Sequence, residues 1–289
     1  MRDYILRGTD KLKNFRFFGV NTTHIANIAR EYHDTTPVVS AALGRLLSGA
    51  SMMGAMLKND TDRVSISIRG DGPIKGLIAE ADAFGNVKGY AYEPHVDIPL
   101  NAYGKLDVSG AIGNAAMTVM KDIGLKEPYT GQIAMPSGEI AEDLTYYFAT
   151  SEQTNSVVIL GVLVDVDYSI KHSGGIIIQV LPDAKDEAIS RLEDKISTFI
   201  SLTAYLEEGK TIEEIIQVLL EDIDIAEKRE IEFKCDCSKE RMERALITLG
   251  KDDLEEIASD EQTELVCHFC NSKYMFSQTE IKDLIQKVL

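Results

Sequence analysis

The chain has 289 residues and a mass of 31.9 kDa, with 44% hydrophobic and 27% charged side chains. That balance excludes a disordered or collagen-like polymer and fits two or three domains at about one per 150 residues. Its 47 acidic and 30 basic groups give a net charge of −17, a field that repels phosphate backbones, and with no basic patch in the sequence nucleic acid is excluded as an expected partner.

The opening residues, Met1 to Arg7, hold no apolar run of signal-peptide length, so the expected location is the cytoplasm. Tyr4–Gly8 and Phe15–Val20 read as a strand pair. A helix follows, with Thr22 or Thr23 as N-cap and Ile25, Ile28 and Ala29 at helical spacing. Pro37 to Leu57 carries a single charge, Arg45, in 21 residues, which invites comparison with a membrane span. Gly44, Gly49, Gly54, Ser40, Ser48 and Ser51 dilute its hydrophobicity, however, and Arg45 would lie near the bilayer midplane. A buried helix is therefore expected, its small residues letting other elements approach the backbone, and no membrane partner.

Arg63–Arg69 alternates strictly and reads as a half-buried strand. Gly70-Asp71-Gly72-Pro73 then turns into a second strand, Ile74–Ala81, and Asn86–Tyr92 supplies a third. Because proline and a strand follow Gly72, this Gly-x-Gly is a hairpin turn and not a phosphate loop. Ser156–Val166 and Gly175–Leu181 are β-branched runs between turn signals. Strands and helices come in groups instead of alternating regularly, which predicts an α+β fold.

Charge and cysteine divide the chain. Residues 1–181 carry 16 basic and 20 acidic groups, residues 182–230 carry 6 and 14, and residues 231–289 carry 8 and 13 together with all four cysteines. The expected organisation is an α+β core (1–181), an acidic helical linker (182–230) and a small cysteine-bearing domain (231–289). In the linker, Ile189, Leu192, Ile196, Phe199, Ile200 and Thr203 mark one helical face. Thr211-Ile212-Glu213-Glu214 fits a capping box ahead of Ile215, Ile216, Leu219 and Leu220. Such a segment is either a solvated connector or an amphipathic layer able to leave its partner without immediate aggregation.

No catalytic pattern is present: no Gly-x-Ser-x-Gly elbow, no Gly-x-x-x-x-Gly-Lys loop and no Gly-x-Gly-x-x-Gly opening a helix. His24, His33, His95, His172 and His268 are scattered without metal-ligand spacing. The expectation is a protein that is not an enzyme.

The cysteines carry the chemistry. Cys235-Asp236-Cys237 and Cys267-His268-Phe269-Cys270 are separated by 29 residues, and no other cysteine occurs. Two close pairs of soft ligands suit one tetrahedral zinc ion, which binds thiolate sulfur at about 2.3 Å, and a reducing cytosol keeps such thiols free. Cys267-x-x-Cys270 followed by Asn271-Ser272-Lys273-Tyr274 reads as a knuckle with its return strand, and His268 is not needed as a ligand. Cys235, Cys237, Cys267 and Cys270 are the expected metal site. A tail this short struggles to fold on its own core, while structural zinc contributes roughly 10–16 kcal/mol in small peptides. Thiolate oxidation removes the ligands, so the spacing permits either an inert zinc ribbon or a site that couples oxidation to unfolding.

These residues resemble the heat shock protein 33 family of redox-regulated holdase chaperones. The resemblance rests on Phe233 to Arg241, on Ala245-Leu246 and Leu249-Gly250, and on Val266 to Asn271 with Tyr274 and Phe276. It continues through Ser40 to Arg45, Gly70 to Ile74, Ser137-Gly138-Glu139, Tyr146-Tyr147, Ser151-Glu152-Gln153, and Gly174-Gly175 with Gln179 and Pro182. Over 182–230 it extends only to length and helical character. The resemblance implies an ATP-independent chaperone, inactive while reduced and zinc-bound. Oxidation would pair Cys235 with Cys237 and Cys267 with Cys270, release zinc, unfold the switch domain and expose the linker's apolar surface to unfolding client proteins. It further implies a homodimer on activation and hand-off to ATP-dependent foldases. Two other classes stay open on the residues: a constitutive zinc-ribbon adaptor, and a thiol-disulfide oxidoreductase using Cys267 and Cys270.

Overall fold

The structure, a computed structural model, describes residues 2–287; Met1, Val288 and Leu289 lie outside the described residues. The chain divides into two compact units, one running to Lys234 and the other starting at Cys235. The first unit contains, in order, β1 (Tyr4–Asp10), β2 (Phe15–Asn21), α1 (Thr23–His33), α2 (Pro37–Gly54), β3 (Arg63–Gly70), β4 (Gly76–Asp82), β5 (Val87–Ala91) and α3 (Val108–Ile112). It continues with β6 (Ala115–Asp122), β7 (Tyr129–Ala134), α4 (Ala141–Thr150), β8 (Ser156–Val164), β9 (Ile170–Val180), α5 (Asp186–Ser197), α6 (Leu202–Glu207), α7 (Ile212–Leu220) and β10 (Ile223–Glu230). The strands make two antiparallel sheets, ordered β10-β1-β2-β9-β8 and β5-β4-β3-β6-β7. The architecture is α+β.

The apolar stretch expected as a buried helix is α2, which packs against strands of both sheets. All its residues except Pro37 and Arg45 are buried, and Arg45 is held by Glu139 at 2.6 Å. Among the described residues no helix is long and apolar enough to cross a membrane. In β3, Val64, Ile66 and Ile68 enter this core while Ser65 and Ser67 take the other face, as strict alternation requires.

The N-terminus of α1 is organised differently from the sequence expectation. The Thr22 side chain does not cap the helix; its buried hydroxyl pairs with Ser48 at 2.7 Å and Ser173 at 2.8 Å. The free helical N–H groups of His24 and Ile25 donate instead to the Asp3 carboxylate, at 3.0 and 2.6 Å. Burial pushes the Asp3 carboxyl above its ordinary value, and those two N–H bonds oppose the shift. A remote carboxylate thus performs the capping that a local hydroxyl was expected to provide.

The sheet containing β1 is covered on both faces. Ile5, Phe18, Val20 and Ile177 point into the core with α2, whereas Tyr4, Leu6, Phe15, Phe17, Ile176 and Ile178 point into a second core. That second core is closed by Ala188 and Leu192 of α5, Leu202 and Leu206 of α6, and Ile212, Ile215, Ile216 and Leu219 of α7. Two-sided burial explains the unbroken Ile176-Ile177-Ile178 run. At Gly19 a Cβ would lie 2.6 Å from Ile212 Cγ2 and 2.8 Å from Ile216 Cδ1, so α7 rests directly on the β2 backbone.

The acidic segment is therefore a packed layer and not a solvated connector. Its capping box is present: the Thr211 N–H donates to Glu214 at 2.8 Å, and the Glu214 N–H donates to the Thr211 hydroxyl at 3.3 Å. Glu213 anchors α7 from the side, accepting from the Tyr4 hydroxyl at 2.7 Å and from Lys228 at 2.5 Å. Burial works against its ionisation, but these two donors hold the Glu213 carboxyl below its usual range. That contribution to stability is full above the ordinary carboxylate pKa and is lost as pH falls through the lowered one.

The layer is helical through Leu220 and ends in a strand, β10, which pairs with β1 at the sheet edge. Residues 231–234 belong to this unit too. The Ile231 N–H bonds the Asp3 carbonyl at 3.1 Å, and the Lys234 N–H bonds the Val87 carbonyl at 3.0 Å. The structural boundary thus falls just after the compositional one.

Ile216 is fully buried beneath α7, whereas Val218 on the same helix is 38% exposed. Ile216→Ala is expected to cost about 2–5 kcal/mol of stability, and Val218→Ala less than about 0.5 kcal/mol. Urea denaturation checks the pair; equal costs would show that the layer is not seated as described.

Candidate metal centre

The second unit contains α8 (Lys239–Ile247), α9 (Lys251–Ile257), β11 (Gln262–Val266), β12 (Lys273–Ser277) and α10 (Gln278–Lys287). Among the described residues its buried apolar core holds Leu246, Leu254, Ala258, Phe276, Ile281 and Leu284, with partly buried side chains such as Met242, Ile257 and Leu265 packed against it. Six residues make a small core, of the kind that natural mini-domains reinforce with metal or disulfides.

Two arms carry the cysteines. Cys235 and Cys237 immediately precede α8, where the Ser238 hydroxyl accepts the Arg241 N–H at 3.3 Å and caps the helix. Arg241 also grips Asp236, reaching its carboxylate at 2.5 Å and its carbonyl at 3.1 Å, which fixes the residue between the two thiols. Cys267 and Cys270 occupy the turn between β11 and β12. There the Cys267 N–H donates to the Ser272 carbonyl at 2.9 Å, and the Asn271 N–H to the Cys267 carbonyl at 2.8 Å. Asn271 takes the left-handed conformation (φ 56°) that closes the turn. This is the expected knuckle and return strand.

The arms bring all four sulfur atoms within 4.8 Å of one another. Cys235 and Cys267 sulfurs are 3.6 Å apart, and those of Cys237 and Cys270 are 3.4 Å apart. A tetrahedral ion with metal–sulfur bonds of about 2.3 Å has sulfur–sulfur edges of roughly 3.8 Å, whereas a disulfide bond is only about 2.0 Å long. All four thiols are free, and their spacing fits one metal ion. Among the described residues no other group of His, Cys, Asp or Glu is placed to hold a metal; His268 is exposed and lies outside the cluster.

The electrostatics agree with the geometry. Burial pushes the Cys235 and Cys267 thiols above their ordinary value. Burial also opposes ionisation of Cys270, but Ser272, through its hydroxyl and backbone N–H, and the neighbouring thiols bring it down to about 7. The Tyr274 hydroxyl donates to Cys237 Sγ at 3.0 Å. Gathering four thiolates in so small a volume is unfavourable without a cation, and a divalent ion relieves that repulsion. Ser272 and Tyr274 are sulfur partners that motif spacing did not single out, although both sit on the return strand or its approach, where β12 passes the sulfurs.

A two-sheet α+β unit followed by a module whose four thiols are placed to hold a metal ion defines the class of protein. Comparison with known proteins narrows it. The family described as Hsp33 protein matches residues 3–277, and the chain belongs to this family. Among curated relatives, the 33 kDa chaperonin of Agathobacter rectalis is 53% identical over 98% of this chain and 100% of its own length. That of Lachnoclostridium phytofermentans is 49% identical over 99% of each chain. The crystal structure of the 33 kDa chaperonin (heat shock protein 33 homolog) of Thermotoga maritima matches with a TM-score of 0.92 at 35% identity, covering 99% of each chain.

Because the Cys235 and Cys267 thiols are raised, metal binding at neutral pH must displace at least their two protons. Protons and metal compete, so affinity rises with pH. It is expected to fall by roughly a hundredfold or more per pH unit below 7, measured by competition with a chromophoric chelator. A flat profile would exclude the thiolate set as the ligands.

Proposed function

We propose that this protein is an ATP-independent, redox-regulated holdase chaperone of the cytoplasm, inactive while its four thiols hold zinc. The observation that carries the reading is the four-thiol cluster beside a small apolar core, in a chain of the Hsp33 family. Cys235, Cys237, Cys267 and Cys270 would hold the ion as thiolates, and bound there it would join the two arms and supply folding free energy of roughly 10–16 kcal/mol.

Peroxide acts on the thiolates. One thiolate of a pair attacks a peroxide oxygen and breaks the O–O bond to give a sulfenic acid and hydroxide, and the second thiolate displaces a further hydroxide to close the disulfide, both hydroxides taking protons from solvent. Pairing Cys235 with Cys237 and Cys267 with Cys270 consumes one peroxide per bond and removes every ligand. The module then loses its reinforcement. Glu230, the end of β10, is five residues from Cys235 in the chain, so unfolding can propagate from the module into the sheet edge and the α5–α7 layer.

Release of that layer uncovers Tyr4, Leu6, Phe15, Phe17, Ile176 and Ile178, together with the apolar stripes of the helices themselves. Exposed apolar surface of this extent captures unfolding proteins, and the acidic side chains of 182–230 keep the opened state soluble. Activated copies pair as homodimers and pass clients to ATP-dependent foldases when reduction returns. The position of Cys267 and Cys270 in a strand-to-strand turn differs from the helix N-terminus that activates oxidoreductase thiols.

The test treats reduced, zinc-loaded protein with peroxide at mild heat and follows zinc release with the light scattering of a heat-denatured client. Suppressed scattering should appear with zinc release and disappear after reductant and zinc are restored. Zinc release without client protection would leave a structural zinc protein. Turnover of insulin disulfides by catalytic amounts would instead identify an oxidoreductase.

A further inference from the structure

β8 is a terminal strand of its sheet and has nine residues, none of them charged. The opposite terminal strand, β10, carries Asp224, Glu227, Lys228, Arg229 and Glu230, the charged pattern that protects exposed edges. β8 has no such protection, and its pairing with β9 is regular until the shift between Leu163 and Val164.

The register decides which backbone groups of β8 face outward. The Val180 N–H donates to the Asn155 carbonyl at 2.9 Å, so residue 155 exchanges hydrogen bonds with β9, and 157, 159 and 161 follow in the same phase. The even-numbered residues face away. In agreement, the Val158 N–H turns outward to the Thr145 hydroxyl at 3.1 Å. Leu160 and Val162 come next in that phase, and neither has an outward backbone partner among the described residues. Two donor–acceptor pairs two residues apart repeat every 6.8 Å or so, which only an extended chain can match.

A groove of about 480 Å³ lies along this edge, within the range of binding clefts. Besides β8 it is lined by Arg45 of α2, Leu100, Lys105 and Leu106 of the loop before α3, and Ser201 and Thr203 at the start of α6. Arg45, Leu100, Lys105 and Leu106 lie outside the α5–α7 layer, so the β8 edge keeps these neighbours when that layer is released. Leu100 is 58% exposed at this groove, and Lys105 is an exposed cation with no ion pair among the described residues.

We infer that the β8 edge docks one extended, apolar-to-acidic segment of an unfolding protein, through main-chain hydrogen bonds to Leu160 and Val162. This rests on the chaperone reading and assigns a site on the strand edge, bordered by α6, and not on the sheet face that α5–α7 cover. The bound segment adds a sixth strand to the sheet, and Lys105 selects for a carboxylate on it over a cation.

Residue-resolved amide exchange of the oxidised full chain tests this, with and without an eight-residue peptide alternating valine and threonine and ending in glutamate. Client light scattering is measured on the same preparation. The Leu160 and Val162 amides should slow by at least about tenfold while Gly161, already bonded to β9, changes little. Lys105→Glu, at an exposed position, should weaken peptide binding by about three- to tenfold, and Val162→Pro should abolish the protection by removing a donor. Suppressed scattering with no change at Leu160 and Val162 would overturn the site and leave the chaperone reading standing. Absence of both would overturn both. Protection that needs no peptide and rises with protein concentration would identify a second copy as the occupant and likewise overturn the proposal.

Discussion

Four sulfur atoms held within 4.8 Å of one another are the constraint around which the second unit is built. Among the described residues its six buried apolar side chains offer little burial against the conformational entropy of ordering two arms, three helices and a hairpin. Ionising the thiols adds mutual repulsion, and leaving them protonated buries polarisable groups around a point with no partner. A cation resolves both difficulties at once. In the proposed mechanism the module is conditional on this: removal of the thiolates removes the bond between its two arms. Arg241 on Asp236, Ser238 at the head of α8 and Tyr274 on Cys237 position the sulfurs but do not replace the bond between the arms.

The first unit has the complementary property. Its central core around α2 is large and closed between two sheets, independent of any metal. The second core, between one sheet and α5–α7, is a single amphipathic layer laid on a finished surface. Its short helices are held by Ile212, Ile215, Ile216 and Leu219, by the close approach at Gly19 and by Glu213 bridging Tyr4 and Lys228. The proposed activation requires this layer to open without the rest, as a cooperative unit of its own.

The sequence exposed the chemistry more fully than the architecture. Cysteine is rare in this chain, and its two spaced pairs announced both the ligand set and the knuckle, which the structure brings together. α2 was legible because Arg45 and the small residues marked a buried helix, and the Thr211–Glu214 capping box was legible because its signal is local. Long-range features were not. The cap on α1 comes from Asp3, 21 residues upstream of His24, and no local pattern points to it. β6 and β7 lack a strong β-branched signature because one face is covered by a few residues such as Met117, Val119 and Ile133. β10 looks polar enough to be helix or loop, since a sheet edge leaves most of its side chains in solvent. The unpaired edge of β8 follows from strand order alone, which composition does not encode.

The central claim is that occupancy of the four-thiol site governs the seating of α5–α7. The most direct measurement is hydrogen exchange by mass spectrometry on the full chain, metal-loaded and reduced, then after peroxide. Residues 186–220 and 235–287 should lose protection together as metal is released, while β9, between its neighbours in the sheet, keeps its own. Loss of protection confined to 235–287, with 186–220 unchanged, would contradict the account.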